Sequence, residues 1–330
     1  MMKRIFSGIK PTGDLHIGNY LGAIRNWLKL QDEYECIYGI VDNHAMTVKY
    51  DAKLLEDKVV KVAANYLACG LDPEKSTLMI QSQVPAHTEL TWTLNCLTPI
   101  SWLHRVPTYK DKAKQNADNL NMGLLDYPVL MTADIILYKA EAVPVGEDQL
   151  PHLELAREIL RKFNTSFGKT FPEPKGILST GSRIKGLDGT EKMGKSLDNC
   201  IYLYEDKKQI MKKLSKAVTD PARVRKTDPG TPEKCNINSL HKLFSDDEKL
   251  EEIYEGCTHG SIGCVKCKRW LSKSMANELE PIREKYNNLL NNVDYIKDVL
   301  VDGNKKANAI AEETMEEVRE KIGVNYKFLK

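Results

Sequence analysis

No run of about 18 apolar residues occurs in the chain, so no segment is suited to cross a membrane as a helix. Residues Met2-Lys3-Arg4 pass straight into a strand-like run, with neither an apolar leader core nor a small-residue cleavage site. A cytoplasmic location is the expectation. Charge of one sign is also missing. The formal net charge is only +2, so an RNA partner would have to be met by local basic patches, not by a global field. There are no internal repeats or low-complexity tracts. What is present is ordinary for a globular protein: 42% hydrophobic and 28% charged residues over 330 positions, enough for two domains with substantial cores.

Residues 1–200 alternate strand-like and helix-like segments. Apolar runs at residues 5–9, 35–41, 76–82 and 142–145 read as strands, and amphipathic stretches at 20–30, 52–67 and from about 150 to 163 read as helices. Strand and helix in alternation with short connections argue for a parallel sheet covered on both faces. Ligands of such sheets bind beyond the carboxyl ends of the strands. Residues 84–140 carry mostly helical pattern and read as an inserted unit, with a basic run at Arg105, Lys110, Lys112 and Lys114 that suits either a solvated face or an RNA contact. Strand signals stop near residue 201. The remainder, 201–330, reads as a helical domain whose last helix spans about 304–322, with Ala307, Ile310, Ala311, Met315 and Val318 on one face and Gly323 as its stop.

The first strand leads into Lys10-Pro11-Thr12-Gly13-Asp14-Leu15-His16-Ile17-Gly18-Asn19. Strand, Pro/Gly turn and helix start together offer free N–H groups and close backbone approach to an anion, with His16 in reach of a phosphate oxygen. This turn resembles the His-Ile-Gly-His signature of class I aminoacyl-tRNA synthetases, in the form found in the tryptophanyl-tRNA synthetases. Downstream, Lys192-Met193-Gly194-Lys195-Ser196 resembles the lysine-rich loop of the same class. Two motifs in the right order rarely arise by chance, and the resemblance covers nearly the whole chain.

The resemblance implies an α/β fold: a Rossmann-like parallel sheet with a helical insertion (1–200), followed by a helical, anticodon-binding domain (201–330). It implies a tryptophan–tRNA ligase. Tryptophan's carboxylate attacks the α-phosphate of ATP, which enters with Mg2+, and the adenylate then acylates tRNA(Trp). No protein nucleophile is needed, because such chemistry depends on positioning and on charge stabilisation. His16, Lys192 and Lys195 are the expected catalytic groups. Lys10, Pro11, Thr12, Gly18, Asn19, Gly146, Glu147, Asp148, Ile184, Met193, Gly194 and Ser196 complete the expected ATP site. Gly194 stands where the family usually has serine, and Lys10 where many relatives have glutamine. Asp148 could accept from ribose hydroxyls or could serve as a first-turn acid of the following helix.

Asp134 follows an apolar stretch and precedes Ile135-Ile136-Leu137, so its carboxylate faces a dry neighbourhood and needs donors. Either the protein supplies them or, as the resemblance implies, the indole N–H does. Phe6 and Met131 are then expected on the indole faces and Val143 and Val145 along its slot, with Tyr127 and Gln149 also expected at the tryptophan. His44 is either a substrate neighbour or a capping histidine. Tyrosyl-tRNA synthetases carry tyrosine at the position of Phe6, so tyrosine as substrate is the weaker alternative. Asp134→Ala is expected to lose tryptophan discrimination and keep the fold.

Cysteine usage divides in two. Cys36, Cys69, Cys96 and Cys200 are dispersed and read as small core residues. Cys235-x21-Cys257-x6-Cys264-x2-Cys267 gathers four thiols in one segment. Zinc would accept them, although only one pair has the short spacing usual for structural zinc. Some bacterial tryptophanyl-tRNA synthetases hold a [4Fe–4S] cluster on nearly this pattern, and four thiolates suit it. His241 and His259 are lesser ligand candidates. Lys266, Lys268, Arg269 and Lys273 are expected to form a basic patch beside the cluster where it meets tRNA. The family also implies a homodimer. Two other readings are a small-molecule adenylyltransferase and a non-catalytic iron–sulfur RNA-binding or sensor protein derived from a synthetase.

Overall fold

The structure is a computed structural model that describes residues 2–106, 120–178, 184–190, 192–326 and 328. The chain opens with β1 (Arg4–Ile9), α1 (Arg25–Leu30), β2 (Glu35–Ile40), α2 (Leu55–Cys69) and β3 (Ser76–Ile80). The inserted helices α3 (Ala86–Asn95), α4 (Ile100–Arg105) and α5 (Met122–Ile136) follow, then β4 (Ala142–Val145), α6 (Leu150–Phe167) and β5 (Lys175–Leu178). The sheet is parallel with order β3-β2-β1-β4-β5. Its direction of growth reverses between β1 and β4, which opens a crevice at the carboxyl ends of those strands. β2 is buried from Cys36 to Ile40, as expected of a strand covered on both faces. β4, which contains Pro144, registers with β1 only at Ile5↔Ala142 and with β5 along its whole length. β5, whose residues are mostly exposed, gave no apolar run for the sequence to reveal.

Two tethers fix the strand ends. Gly70, at φ 110°, closes α2 in the left-handed conformation. One turn earlier, the buried Tyr66 hydroxyl accepts from Ile9 N at 3.1 Å and donates to Gly39 O at 3.2 Å, joining the ends of β1 and β2.

The chain forms two compact units: Met1–Asp14, Ala23–Thr180 and Asn292–Lys330 make one, and Leu15–Gly22 with Gly181–Asn291 the other. This differs from a division at residue 200, and the contacts give the reason. Leu203 N donates to Leu15 O and Ile17 N to Ile201 O, at 3.0 and 2.9 Å, so the His16 turn is zipped to residues 201–203. The second unit contains α7 (Lys207–Lys216), α8 (Asn236–Phe244), α9 (Asp247–Thr258) and α10 (Cys264–Leu290).

The last helix, α11 (Val293–Lys321), begins earlier than its pattern predicts and belongs to the sheet unit. Its small-residue stripe lies on the edge strand β3. A Cβ on Gly303 would sit 1.8 Å from Leu78 O, so only glycine permits this approach. Asn304 Oδ1 accepts from Ile80 N at 2.8 Å, covering a free edge donor. Ala307, Ala311, Met315 and Val318 then join Phe6, Met79 and Val143 in one buried apolar cluster.

Candidate active site

In the sheet unit the candidate residues centre on Asp134, on α5, which is 2% exposed. His44 follows β2 in a single helical turn (Asp42–Ala45), and its Nε2 lies 2.8 Å from Asp134 Oδ2. Gln81, immediately after β3, donates from Nε2 to Oδ1 at 2.6 Å. His87, on α3, places Nδ1 2.7 Å from the same oxygen and Nε2 2.8 Å from the Tyr138 hydroxyl. Burial alone would raise the Asp134 pKa, but the hydrogen bonds and charge of His44 and His87 hold it well below the usual carboxylate range. Tyr138 is pushed well above its usual value by burial and by the Asp134 charge.

Around this carboxylate Phe6 stacks on Tyr138, centroids 5.5 Å apart at 12°. Val143 and Val145 are buried in the same apolar cluster, with Met131 packed against it. The Tyr127 hydroxyl bonds His152 Nε2 at 2.6 Å, and Lys10 Nζ lies 5.7 Å from the Tyr127 ring centre. Asp148 is exposed and accepts from Gln149 Nε2 at 3.0 Å. Two buried polar atoms, His44 Nδ1 and Gln81 Oε1, have no hydrogen-bond partner among the described residues. Such orphan groups are costly unless a ligand or water meets them.

The protein's own donors therefore reach Asp134, which the sequence left as one of two options. Gln81, His87 and Tyr138 were not singled out from the sequence. The signal available was position: Gln81 is the first residue beyond the carboxyl end of β3.

In the second unit His16 caps a single turn (Ile17–Asn19). Its Nδ1 accepts from Gly18 N at 3.1 Å, and its own backbone N–H donates to Asn19 Oδ1 at 3.1 Å. A Cβ on Gly18 would lie 2.8 Å from the ring, so glycine is needed for this cap. With Nδ1 used as acceptor, the neutral ring carries its proton on Nε2, a donor suited to a phosphate oxygen. Burial, then the charges of Lys195 and Lys192, lower the His16 pKa to about 4.

The lysine loop is braced from within. Met193 is buried, and its N–H donates to Ile184 O at 3.0 Å. Asn199 Oδ1 accepts from Gly194 N at 2.8 Å, while its Nδ2 donates to Asp188 Oδ2 at 2.8 Å. The residue at 194 thus acts through its backbone, and Asn199 is a brace that the motif did not show. The Ser196 side chain lies outside the described residues.

Residues 2–280 match the family of class I tRNA synthetases for tryptophan and tyrosine (W and Y). The chain belongs to that family. It is 49% identical over 327 residues to a tryptophan–tRNA ligase of Deinococcus radiodurans, covering 98% of this chain and 99% of that one. A tryptophan–tRNA ligase of Thermotoga maritima is 46% identical over 328 residues, covering 98% and 100%. The structure is similar to that of a tryptophanyl-tRNA synthetase from Campylobacter jejuni complexed with ADP and tryptophan, at a TM-score of 0.87 and 39% identity over 97% of this chain and 99% of that one. Among the described residues no helix is long and apolar enough to cross a membrane.

In this synthetase the four clustered cysteines are all free thiols. Cys264 and Cys267 lie one turn apart at the start of α10. Cys257 Sγ is 3.6 Å and Cys264 Sγ 3.9 Å from Arg223 Nη1. Burial pushes the Cys267 thiol up to about 12, with the charges of Cys235, Cys257 and Cys264 adding to it. The thiols are thus close enough to feel one another. Among the described residues, however, no three His, Cys, Asp or Glu side chains stand in a metal-holding group. His241 Nδ1 bonds Ser245 Oγ at 2.8 Å and His259 Nδ1 lies 2.9 Å from Glu255 O, so each ring has a local partner.

Two further expectations are corrected. Lys268 is buried, not part of a basic surface: its ammonium bonds Ser215 O and Ala217 O at 3.0 and 2.7 Å, closing the carboxyl end of α7. Cys96 is exposed, because it caps the end of α3 outside the core. Arg105 is paired with Glu158 at 2.9 Å, while Lys110, Lys112 and Lys114 lie outside the described residues.

Proposed function

We infer that this protein ligates tryptophan to tRNA(Trp). It activates L-tryptophan with ATP to the adenylate, releasing pyrophosphate, and transfers the tryptophanyl group to the tRNA. The full-length likeness to tryptophan–tRNA ligases carries this reading. Tryptophan-dependent ATP–pyrophosphate exchange followed by charging of tRNA(Trp) tests it. Exchange with tyrosine instead would overturn the specificity, and no exchange with either would favour an RNA-binding or sensor role.

For the site residues, Asp134 is assigned to the indole N–H, with Phe6, Met131, Val143 and Val145 as the apolar slot. Support comes from the dry, donor-rich surroundings of the carboxylate. Indole binding then requires one protein donor to give way. Phe6 lacks the hydroxyl that would meet a phenol, which favours tryptophan over tyrosine. His44, Tyr127 and Gln149 are assigned to the amino-acid end, where His44 Nδ1 is buried without a hydrogen-bond partner among the described residues.

His16 Nε2–H, Lys192 and Lys195 are assigned to the ATP phosphates. They meet charge that builds as pyrophosphate leaves. Lys10, Pro11, Thr12, Gly18, Asn19, Gly146, Glu147, Asp148, Ile184, Met193, Gly194 and Ser196 are assigned to the rest of the nucleotide. Mg2+ accompanies ATP and supplies countercharge.

Cys235, Cys257, Cys264 and Cys267 are assigned to a [4Fe–4S] cluster with a structural role, since aminoacylation moves no electrons. The support is the donor set, four soft thiols with two at a helix start. Zinc is the alternative, decided by metal analysis of anaerobically purified protein. Residues 201–330 are assigned to the anticodon, and a homodimer is assigned through the inserted helices, where Trp92, Ile100 and Met122 are exposed.

A further inference from the structure

We propose that Lys213, which is not among the substrate contacts assigned above, is a positioning residue for adenylate formation that acts on His16 through the turn at residues 200–205. The proposal rests on the reading of His16, Lys192 and Lys195 as phosphate ligands.

Lys213 projects from the last turn of α7, and its ammonium is fully engaged. It donates to Cys200 O at 2.8 Å, pairs with Glu205 Oε1 at 2.5 Å and lies 4.5 Å from the Tyr202 ring centre. Glu205 is 7% exposed, and burying a carboxylate is costly unless a cation and hydrogen bonds meet it. Its other oxygen accepts from Tyr202 N at 3.3 Å, so the turn closes around the ammonium.

That turn is the surface on which the His16 motif is laid. Tyr202 is bridged antiparallel to His16, flanked by the Ile17–Ile201 and Leu203–Leu15 hydrogen bonds. His16 therefore takes its position from residues 201–203, and these are held by Lys213. The anchor is itself fixed, because Lys268 of α10 holds the carbonyls that follow Lys213 on α7. A chain of contacts thus runs from α10 through α7 and the Glu205 ion pair to the imidazole. The same segment continues back to Asn199, which braces the lysine loop at Gly194. One ammonium thereby sets the spacing between two groups that must meet one triphosphate. Methionine at 213 would keep the stem, lose all three polar contacts and leave Glu205 buried without a cation.

The test is tryptophan-dependent ATP–pyrophosphate exchange on full-length protein, normalised by active-site titration, with wild type, K213M, K213R, E205Q, H16A and K195A. K213M is expected to lower kcat about tenfold to a hundredfold and to raise KM for ATP, as displacement of a positioned group by about 1 Å does. KM for tryptophan should stay within about twofold. K213R, which retains charge and donors, should recover most of the loss. A purely structural role would instead lower the titre of active sites and leave the normalised kcat and the ATP KM alone, and that result overturns the proposal. So does a K213M enzyme as fast as wild type. If K213M does not fold, E205Q decides: an unchanged ATP KM in E205Q overturns the proposal, and a raised one supports it. If H16A and K195A themselves exchange normally, the reading of the phosphate site fails and the proposal with it. If they lose activity and K213M does not, only the proposal fails.

Discussion

His87 and Asp134 are joined at 2.7 Å through Nδ1 and Oδ1, and the far nitrogen of the same ring lies 2.8 Å from the Tyr138 hydroxyl. His87 is fully buried, so this bond is made in a low-dielectric core. It means that the candidate indole acceptor is also a structural hub.

Asp134→Ala is therefore expected to cost stability as well as specificity, against the simpler expectation that the fold is untouched. Three buried donors lose their acceptor, at about 1–3 kcal/mol each. Thermal unfolding should show a clear drop in Tm. Asp134→Asn keeps the shape and is the better probe: its tryptophan kcat/KM should fall by at least about a hundredfold. An unchanged value would remove Asp134 from the site.

Lys192→Ala and Lys195→Ala should each reduce exchange by about 10²–10³-fold, the loss typical when one preorganised group facing developing charge is removed. The loss should appear in kcat more than in KM for tryptophan, measured under saturating ATP.

His16 makes stability fall on acidification. Its pKa is held near 4 in the fold, against 6.5 unperturbed, so the unfolded chain takes up the proton first. The contribution is complete above pH 6.5 and is lost progressively as pH falls towards 4, amounting to up to about 3 kcal/mol. Denaturant titrations of wild type and His16→Gln across that window should converge at low pH. Parallel curves would contradict the buried neutral imidazole.

Gly303→Ala should destabilise the protein by about 3 kcal/mol or more, because its Cβ would meet Leu78 O at 1.8 Å, backbone against backbone. Chemical denaturation reads this directly, and an alanine at the neighbouring exposed Val301 serves as control.

Loss of the proposed cluster should separate the two half-reactions. Cys267→Ser, or aerobic removal of iron, is expected to weaken tRNA charging and leave tryptophan-dependent exchange intact. Wild-type protein purified anaerobically should carry about four irons per chain and absorb in the visible. Equal loss of both activities would argue against a role at the tRNA-binding end.

Much of the site could be read from the chain because its motifs are local. The His16 turn needs Gly18 two residues away, and the lysine loop is five consecutive residues, so both survive as patterns in one dimension. The strands β1 to β4 were legible for the same reason: a buried parallel strand is a short apolar run. β5 escaped because it lies at the sheet edge, mostly exposed. The start of α11 escaped although Ile296 and Leu300 already lie on its buried stripe, because Asp302-Gly303-Asn304 carries the signals of a turn.

The residue order by itself determined the alternation of strands and helices, the phosphate-type turn, the lysine loop and the grouping of four thiols. Only the tertiary structure decided which side chains meet: that Asp134 is shared by His44, Gln81 and His87, that Lys268 turns inward, and that α11 closes the sheet edge. The physical reason is that these partnerships form between elements brought together by crossovers. Periodicity records which face of an element is apolar. It carries no record of the partner that the face, or a polar group within it, will find.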